Sequence, residues 1–352
     1  VAYEYTQSYI DGMNGEGKGI YPSLEILNGA SESKSIGGSK SKSAFLSILS
    51  NVQYVYKDKY MMQLSYRRDG SSRFGSNQRF GDFYSVGTSW VVTKENFMQS
   101  VGWVNNLKLR LSYGSVGNAN IADYVALGLY NMTVQYNGEP GGFPRRLPNP
   151  DLTWESNKNF NFGVDTRLFD RINVTVDAYD KRTDNLLQDV PLPLVTGFYW
   201  FTDNVGSIQN RGLEFSLETE IVKSSPFLWN TSLNMSFNKN KVLKLNDGKD
   251  ISMGNKIIRE GWDINTWYMR KWAGVDPSNG NPLWEKVTTA ADGTNIIEKT
   301  SKYSEATLQN MDSSSPKFFG GFMNTFVYKQ FKLDASFNFV YGNKIYHQLR
   351  ES

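Results

Sequence analysis

Three times along this chain, two runs of alternating apolar and polar residues meet across a turn of a few residues. The clearest pair is Phe322–Tyr328 and Phe331–Tyr341, joined at Lys329-Gln330. In the second run Phe331, Leu333, Ala335, Phe337, Phe339 and Tyr341 fall on one face, and Lys332, Asp334, Ser336 and Asn338 on the other. Phe160–Leu168 and Ile172–Ala178 repeat the plan across Asp170-Arg171, and Ala44–Val55 and Tyr60–Arg67 repeat it across Lys57-Asp58. Period-two alternation is the signature of a strand with two different surroundings.

Extending the same reading predicts strands at Val1–Ile10, Ala44–Tyr56, Tyr60–Arg68, Phe80–Val92, Leu107–Tyr113, Phe160–Leu168, Ile172–Asp180, Leu213–Ile221, Trp229–Phe237, Phe322–Tyr328 and Phe331–Tyr341. Most run about 9–11 residues, the length a tilted strand needs to cross a bilayer. Trp229, Thr231, Leu233, Met235 and Phe237 form an unbroken face opposed by Asn230, Ser232, Asn234, Ser236 and Asn238, a wholly neutral polar set suited to a lumen. The segments read as long connections are Gly114–Asn159, Lys181–Gly212 and Asn238–Gly320. Loops beyond about 12–15 residues are uncommon in compact soluble domains, and all three fall on one side if the hairpins alternate. Tight turns at one end and long loops at the other describe a transmembrane β-barrel. Tyr54, Tyr56, Tyr60, Phe169, Trp229, Tyr328 and Phe331 near strand ends suit its interfacial girdle. On this reading Leu333→Arg, taken as mid-strand and facing lipid, destabilises by about 2–4 kcal/mol. Ser31–Ser43, rich in Ser, Lys and Gly, reads as a flexible exposed loop.

Composition changes this picture little. The 31 Gly, 20 Tyr, 21 Phe and 9 Trp favour β over α structure. The mean hydropathy of −0.49 is polar, as expected where a strand shows lipid only every second residue. No run of about 18 apolar residues predicts a helical span; the best stretch, Tyr124–Tyr136, is interrupted by Asn131, Thr133 and Gln135. Zero Cys excludes disulfides, thiolate metal sites and a Cys nucleophile. A scattered net charge of +3 gives nucleic-acid binding no support.

Catalytic parts are scarce. His347 is the single histidine, and no Gly-x-Ser-x-Gly elbow accompanies it. Gly15–Gly19 and Gly37–Ser41 lack the full phosphate-loop pattern and read as flexible loops. Asp276–Asn281 lacks the alternating ligands of a calcium loop and fits a turn. The chain is read as a non-enzyme with no cofactor and no metal. What remains is aromatic chemistry in the long connections. Tyr199, Trp200 and Phe201, with Phe198, lie in the second, and Trp262, Trp267, Tyr268, Trp272 and Trp284 in the third. Exposed rings stack on sugars or anchor a protein partner, so these are the candidate substrate- or partner-binding residues; packing as local mini-cores is the competing reading.

Seven segments, in order, carry a resemblance: Arg67–Gly75, Ser112–Asn118, Asn149–Glu155, Tyr179–Leu187, Asn204–Glu214, Gly274–Gly280 and Ser315–Gly321. Together they resemble the SusC/RagA family of TonB-linked outer-membrane transporters of Bacteroidetes-type bacteria. The resemblance implies a barrel of about 22 strands, of which about eleven are present here. It also implies a plug domain and import of oligosaccharides or peptides. A SusD-like surface lipoprotein would form a lid, and TonB–ExbB–ExbD would supply the energy. The location implied is the outer membrane of a Gram-negative bacterium. No basic n-region or apolar h-region precedes Val1. Residues 1–352 are therefore expected to be part of a longer protein, without its signal peptide, TonB box, plug and closing strands. Gly70, Gly75, Gly114, Gly117 and Gly212 are expected to supply positive φ or sharp bends where strands end, and Pro148 and Pro150 to force the chain out of the sheet. The alternative is a secreted or surface β-rich carbohydrate-binding module without transport.

Overall fold

The computed structural model describes residues 1–23 and 26–347. Eleven strands form one sheet: β1 Ala2–Ile20, β2 Ala30–Tyr56, β3 Tyr60–Ser71, β4 Phe80–Val91, β5 Val104–Asn118, β6 Glu155–Leu168, β7 Ile172–Asp184, β8 Ser207–Ser224, β9 Phe227–Lys244, β10 Phe318–Tyr328 and β11 Phe331–Tyr341. Neighbours in sequence are neighbours in space throughout, and every pairing is antiparallel. All eleven expected strands are therefore wall strands. Among the described residues no helix is long and apolar enough to cross a membrane.

The tight turns arise from local backbone chemistry. Lys57 and Asp58 both take positive φ (52° and 53°), as do Phe169 and Asp170 (52° and 56°). Two successive positive φ values make a turn whose twist matches that of its flanking strands. Lys59 N donates to Tyr56 O (3.0 Å) and Arg171 N to Leu168 O (3.1 Å), closing the two turns.

The register assigns every side chain to a face. One row across the sheet reads Leu111, Phe162, Ala178, Leu213 and Phe237. Another reads Val174, Leu217, Leu233, Phe322 and Phe337. These rings and branched chains are not packed against protein; Leu213 is 43% and Phe337 60% exposed. The opposite face reads Asn173, Glu218 and Ser232 in one row and Asp177, Glu214 and Ser236 in another. Asn230, Ser232, Asn234, Ser236 and Asn238 share that polar face. At the short-turn end of the apolar face the rings stack: Tyr56 on Tyr60 (6.4 Å between centroids), Tyr60 on Trp90 (6.4 Å), Trp103 on Phe169 (5.7 Å) and Trp229 on Phe326 (5.5 Å). This is one aromatic girdle. Tyr84 and Tyr113 (6.3 Å), and Phe237 and Phe318 (5.7 Å), lie toward the other end. About ten residues at ~3.3 Å per residue and a tilt of ~40° separate two interfaces by roughly 25 Å, the height of an outer-membrane apolar band.

The structure corrects several local expectations. Ser31–Ser43 is extended strand within β2, held by β1 through pairs such as Tyr9↔Lys42 and Gly12↔Ser39. Gly15–Gly19 lies within β1, and Gly37–Ser41 pairs with Asp11, Gly12 and their neighbours as ladder rather than loop. The three long connections also carry strands of their own. Leu129–Tyr136 pairs with Glu139–Arg146, and Leu187–Pro191 with Trp200–Asn204. The third holds a four-stranded and a three-stranded sheet. Leu333 lies close to the short turn, two pairs inside Phe331↔Tyr328, and not at mid-strand. Leu233, midway between Trp229 and Phe237, occupies the mid-strand position.

Fully buried side chains are found mainly in the base of the long-loop crown. Phe74, Phe83 and Trp154 form one core cluster, Val125, Ala126 and Leu152 a second, and Val242, Leu245 and Ile258 a third.

Candidate functional site

The polar face and the crown above it are the surfaces able to meet a solute. On the polar face Arg110 of β5 binds Asp165 of β6 through two hydrogen bonds (Nε to Oδ2 2.7 Å, Nη2 to Oδ1 3.0 Å). The same guanidinium donates to Asp177 Oδ2 of β7 at 3.0 Å. To do so it crosses β6 at Gly163, where a Cβ would sit 2.6 Å from Arg110 Cζ and from Asp177 Oδ1. The missing side chain is what permits this three-strand bridge.

Above the wall, the loops are tied to one another by short polar side chains. Asn204 Nδ2 donates to Thr153 O (2.8 Å) and Asn185 O (3.0 Å), while Thr153 N donates to Asn204 Oδ1 (2.7 Å). Asn149 Nδ2 reaches Thr202 O at 2.9 Å. Gly75 N donates to Leu152 O (2.9 Å), Asn77 N to Pro150 O (3.0 Å) and Trp154 Nε1 to Arg79 O (3.1 Å). Arg73 Nε pairs with Asp123 Oδ1 (2.7 Å), whose other oxygen accepts the Ser41 hydroxyl of β2. That hydroxyl first, and Arg73 second, hold the Asp123 carboxyl below its ordinary value. Arg73, Gly75, Asn149, Pro150, Leu152, Thr153, Trp154, Asn185 and Asn204 come from four of the seven segments that carry the family resemblance, and Ser41, Asn77, Arg79, Asp123 and Thr202 from outside them, so those four segments build much of the base of the crown.

The glycines in these segments act through space. Gly70, Gly114, Gly117 and Gly212 lie inside strands, and neither they nor Gly75 has positive φ. A Cβ on Gly75 would overlap the Pro150 carbonyl, and one on Gly117 the Phe83 ring. Pro150 lies outside the strands, as expected, and its carbonyl becomes part of the lock.

The candidate aromatics form four separate groups. Tyr199 and Trp200 pair at the tip of the second-loop hairpin (5.9 Å), both more than half exposed, with Phe201 partly covered beside them. Leu194 (74% exposed) and Val195 (92%) share that tip; the local signal for them was an apolar pair between Pro193 and Gly197. In the third loop Trp262 and Tyr268 meet edge to face (6.2 Å), with the Arg259 guanidinium 4.5 Å from one ring centroid and 5.3 Å from the other. Trp267 lies under Lys256 Nζ (4.7 Å) and its Nε1 donates to Lys344 O (2.9 Å). Trp284 packs between Trp272 (5.9 Å) and Tyr303 (5.1 Å). Trp272 and Tyr303 remain more than half exposed.

Asp276–Asn281 is a turn between Trp272–Val275 and Pro282–Thr289. Ser278 Oγ and N donate to Asp276 Oδ1 (2.7 and 2.9 Å), lowering its carboxyl below the ordinary range. His347 is exposed.

The model of a family described as TonB dependent receptor-like, beta-barrel, matches residues 2–344. TonB-dependent receptor P39 of Formosa agariphila is 37% identical over an alignment covering 86% of this chain and 33% of the relative. TonB-dependent receptor SusC of Bacteroides thetaiotaomicron is 32% identical over 74% of this chain and 28% of the relative. Among solved structures, a chain of the RagAB peptide transporter superposes with a TM-score of 0.85 at 31% identity, covering 96% of this chain and 38% of that one. The chain thus spans about a third of the length of the relatives it matches. A continuous two-faced antiparallel wall, an aromatic girdle and a crown built from the shared segments agree with these likenesses, and the chain belongs to the TonB-dependent receptor β-barrel family of the Gram-negative outer membrane, in its SusC/RagA branch.

Proposed function

We propose that the intact protein actively imports oligosaccharides or peptides along the polar face of its barrel. A SusD-like lipoprotein closes over the crown, and TonB–ExbB–ExbD supplies the energy. The observation that carries this reading is the crown itself: every long connection rises from the same end of the wall, and the second is welded to the first while presenting Leu194, Val195, Tyr199 and Trp200 to solvent. An exposed apolar tip on a rigid base is the form of a protein-docking anchor. Likeness to SusC and to a chain of the RagAB peptide transporter supports transport over passive binding. In the third loop, Trp272 and Tyr303 offer ring faces to substrate, while Trp262, Trp267, Tyr268 and Trp284 hold the loop in shape. Phe201 supports the tip in the same way. Passage requires binding and release and no covalent step.

The test uses the full-length protein extracted from outer membranes. Tyr199→Ala with Trp200→Ala is expected to lower recovery of the co-purifying lipoprotein at least tenfold, with the amount of folded barrel unchanged. Unaltered recovery would remove the tip from the docking role. Recovery of the native protein in a detergent-free soluble fraction would overturn transport and leave a binding module.

A further inference from the structure

On the apolar face, the row Phe162, Ala178, Leu213, Phe237 is followed toward the crown by two rows of different chemistry. The first holds Phe160, Asp180, Arg211 and Lys239. The second holds Lys158, Arg182, Gln209 and Lys241. Register fixes their direction: residues two apart along a strand share a face, so these cations point outward from the barrel, immediately beyond the membrane-facing band. All five cationic side chains are exposed.

The nearby carboxylates are already engaged. Asp180 accepts from Arg211 Nε (2.8 Å) and Gln209 Nε2 (2.7 Å). Asp184, one row further out, accepts from Arg182 Nε (2.8 Å) and Lys158 Nζ (3.2 Å). Lys239 and Lys241 form no ion pair among the described residues. Five cations thus face two carboxylates on a patch only four strands wide, about 14 Å at the usual strand spacing. Beyond it opens a cleft of about 910 Å³, with room for a sugar headgroup, lined by Lys158, Arg182 and Lys244 and also by Asp184, Asp247 and Glu260. Asp184 is held by Arg182 and Lys158, Asp247 pairs with Lys249, and Glu260 accepts from Leu245 N.

We propose that this patch binds the phosphate groups of anionic glycolipid in the outer leaflet. The occupant follows from position and charge. A surface continuous with the lipid-facing band meets lipid headgroups first, and excess lysine and arginine at that depth complements headgroup phosphate. The inference rests on the membrane placement of the wall and is independent of what the protein imports.

The full-length protein in neutral detergent would be titrated at low salt with diphosphoryl lipid A and with the same lipid after dephosphorylation, bound lipid being read by native mass spectrometry. The wild type should prefer the phosphorylated lipid. Combining Lys158→Ser, Lys239→Ser and Lys241→Ser should lower that affinity about a hundredfold, an effect that shrinks as salt is added. The corresponding Lys→Arg triple should retain binding. Lys57→Ser, Lys94→Ser and Lys329→Ser, at the short-turn end, should leave it unchanged. Equal binding of the two lipids by the wild type would overturn the proposal without any variant. Equal losses from the two Ser triples would overturn it as well.

Discussion

The two ends of the wall solve the same problem, reversing the chain between antiparallel strands, by opposite means. At the short end the reversals at Lys57-Asp58 and Phe169-Asp170 are local, set by two positive φ values and one backbone hydrogen bond each. At the crown end they are long, and their order comes from contacts distant in sequence, such as Asn149 to Thr202 and Ser41 to Asp123. Glu95 is the nearest thing to a lock at the short end. It accepts from Tyr60 (2.7 Å), Lys59 (3.0 Å) and Trp90 (3.2 Å), which lower its carboxyl in that order, and it fastens the β4–β5 connection to the adjoining ends of β3 and β4 and to the turn before β3. Sequence alternation specifies the wall, while the crown depends on a few small or polar residues placed where backbones nearly touch.

Three perturbations separate these contributions. Leu233→Arg, at mid-band on the lipid face, should destabilise the full-length barrel by about 2–4 kcal/mol in urea unfolding from lipid, whereas Leu333→Arg beside the girdle should cost only about 0–1 kcal/mol. Equal costs would contradict the assigned depths. Gly75→Ala forces the 72–79 loop away from Pro150 and should cost about 2–3 kcal/mol. It should speed proteolysis of the 119–154 loop while leaving the wall intact; unchanged cleavage would break the claim that the crown is locked there. The smallest effect concerns Asp123, whose lowered value makes its contribution present above its ordinary value near 3.8 and lost as pH falls through the depressed one. Hydrogen-exchange protection of residues 119–128 should hold from pH 7 to about 4 and decline below that, by less than about 1 kcal/mol. Asp123→Asn should flatten the decline. A decline that begins at pH 6 would exclude this carboxylate as its source.

The wall was legible because a lipid-facing strand cannot hide its period: Phe331–Tyr341 and Trp229–Phe237 spell it without interruption. Ser31–Ser43 was not, since beyond the bilayer both faces of β2 meet water and selection for alternation disappears; its extended form comes from the partner strand β1. The crown strands were hidden for a related reason, being short and covered irregularly. The shared segments marked where the lock would be, but the reason for their glycines was spatial and visible only once Pro150 and Phe83 were in place. Of the candidate rings, composition could find Trp200 and Trp284 alike. Only packing separates the exposed tip from the ring clasped by Trp272 and Tyr303.

The Arg110 bridge has a mechanical meaning. β4 with β5 is one hairpin and β6 with β7 the next, and barrels pulled from a membrane by one end tend to come out a hairpin at a time. A guanidinium anchored on β5 and gripping both Asp165 and Asp177 through the gap at Gly163 couples those two units. Under load, the four strands should resist as a single block and yield in one larger step.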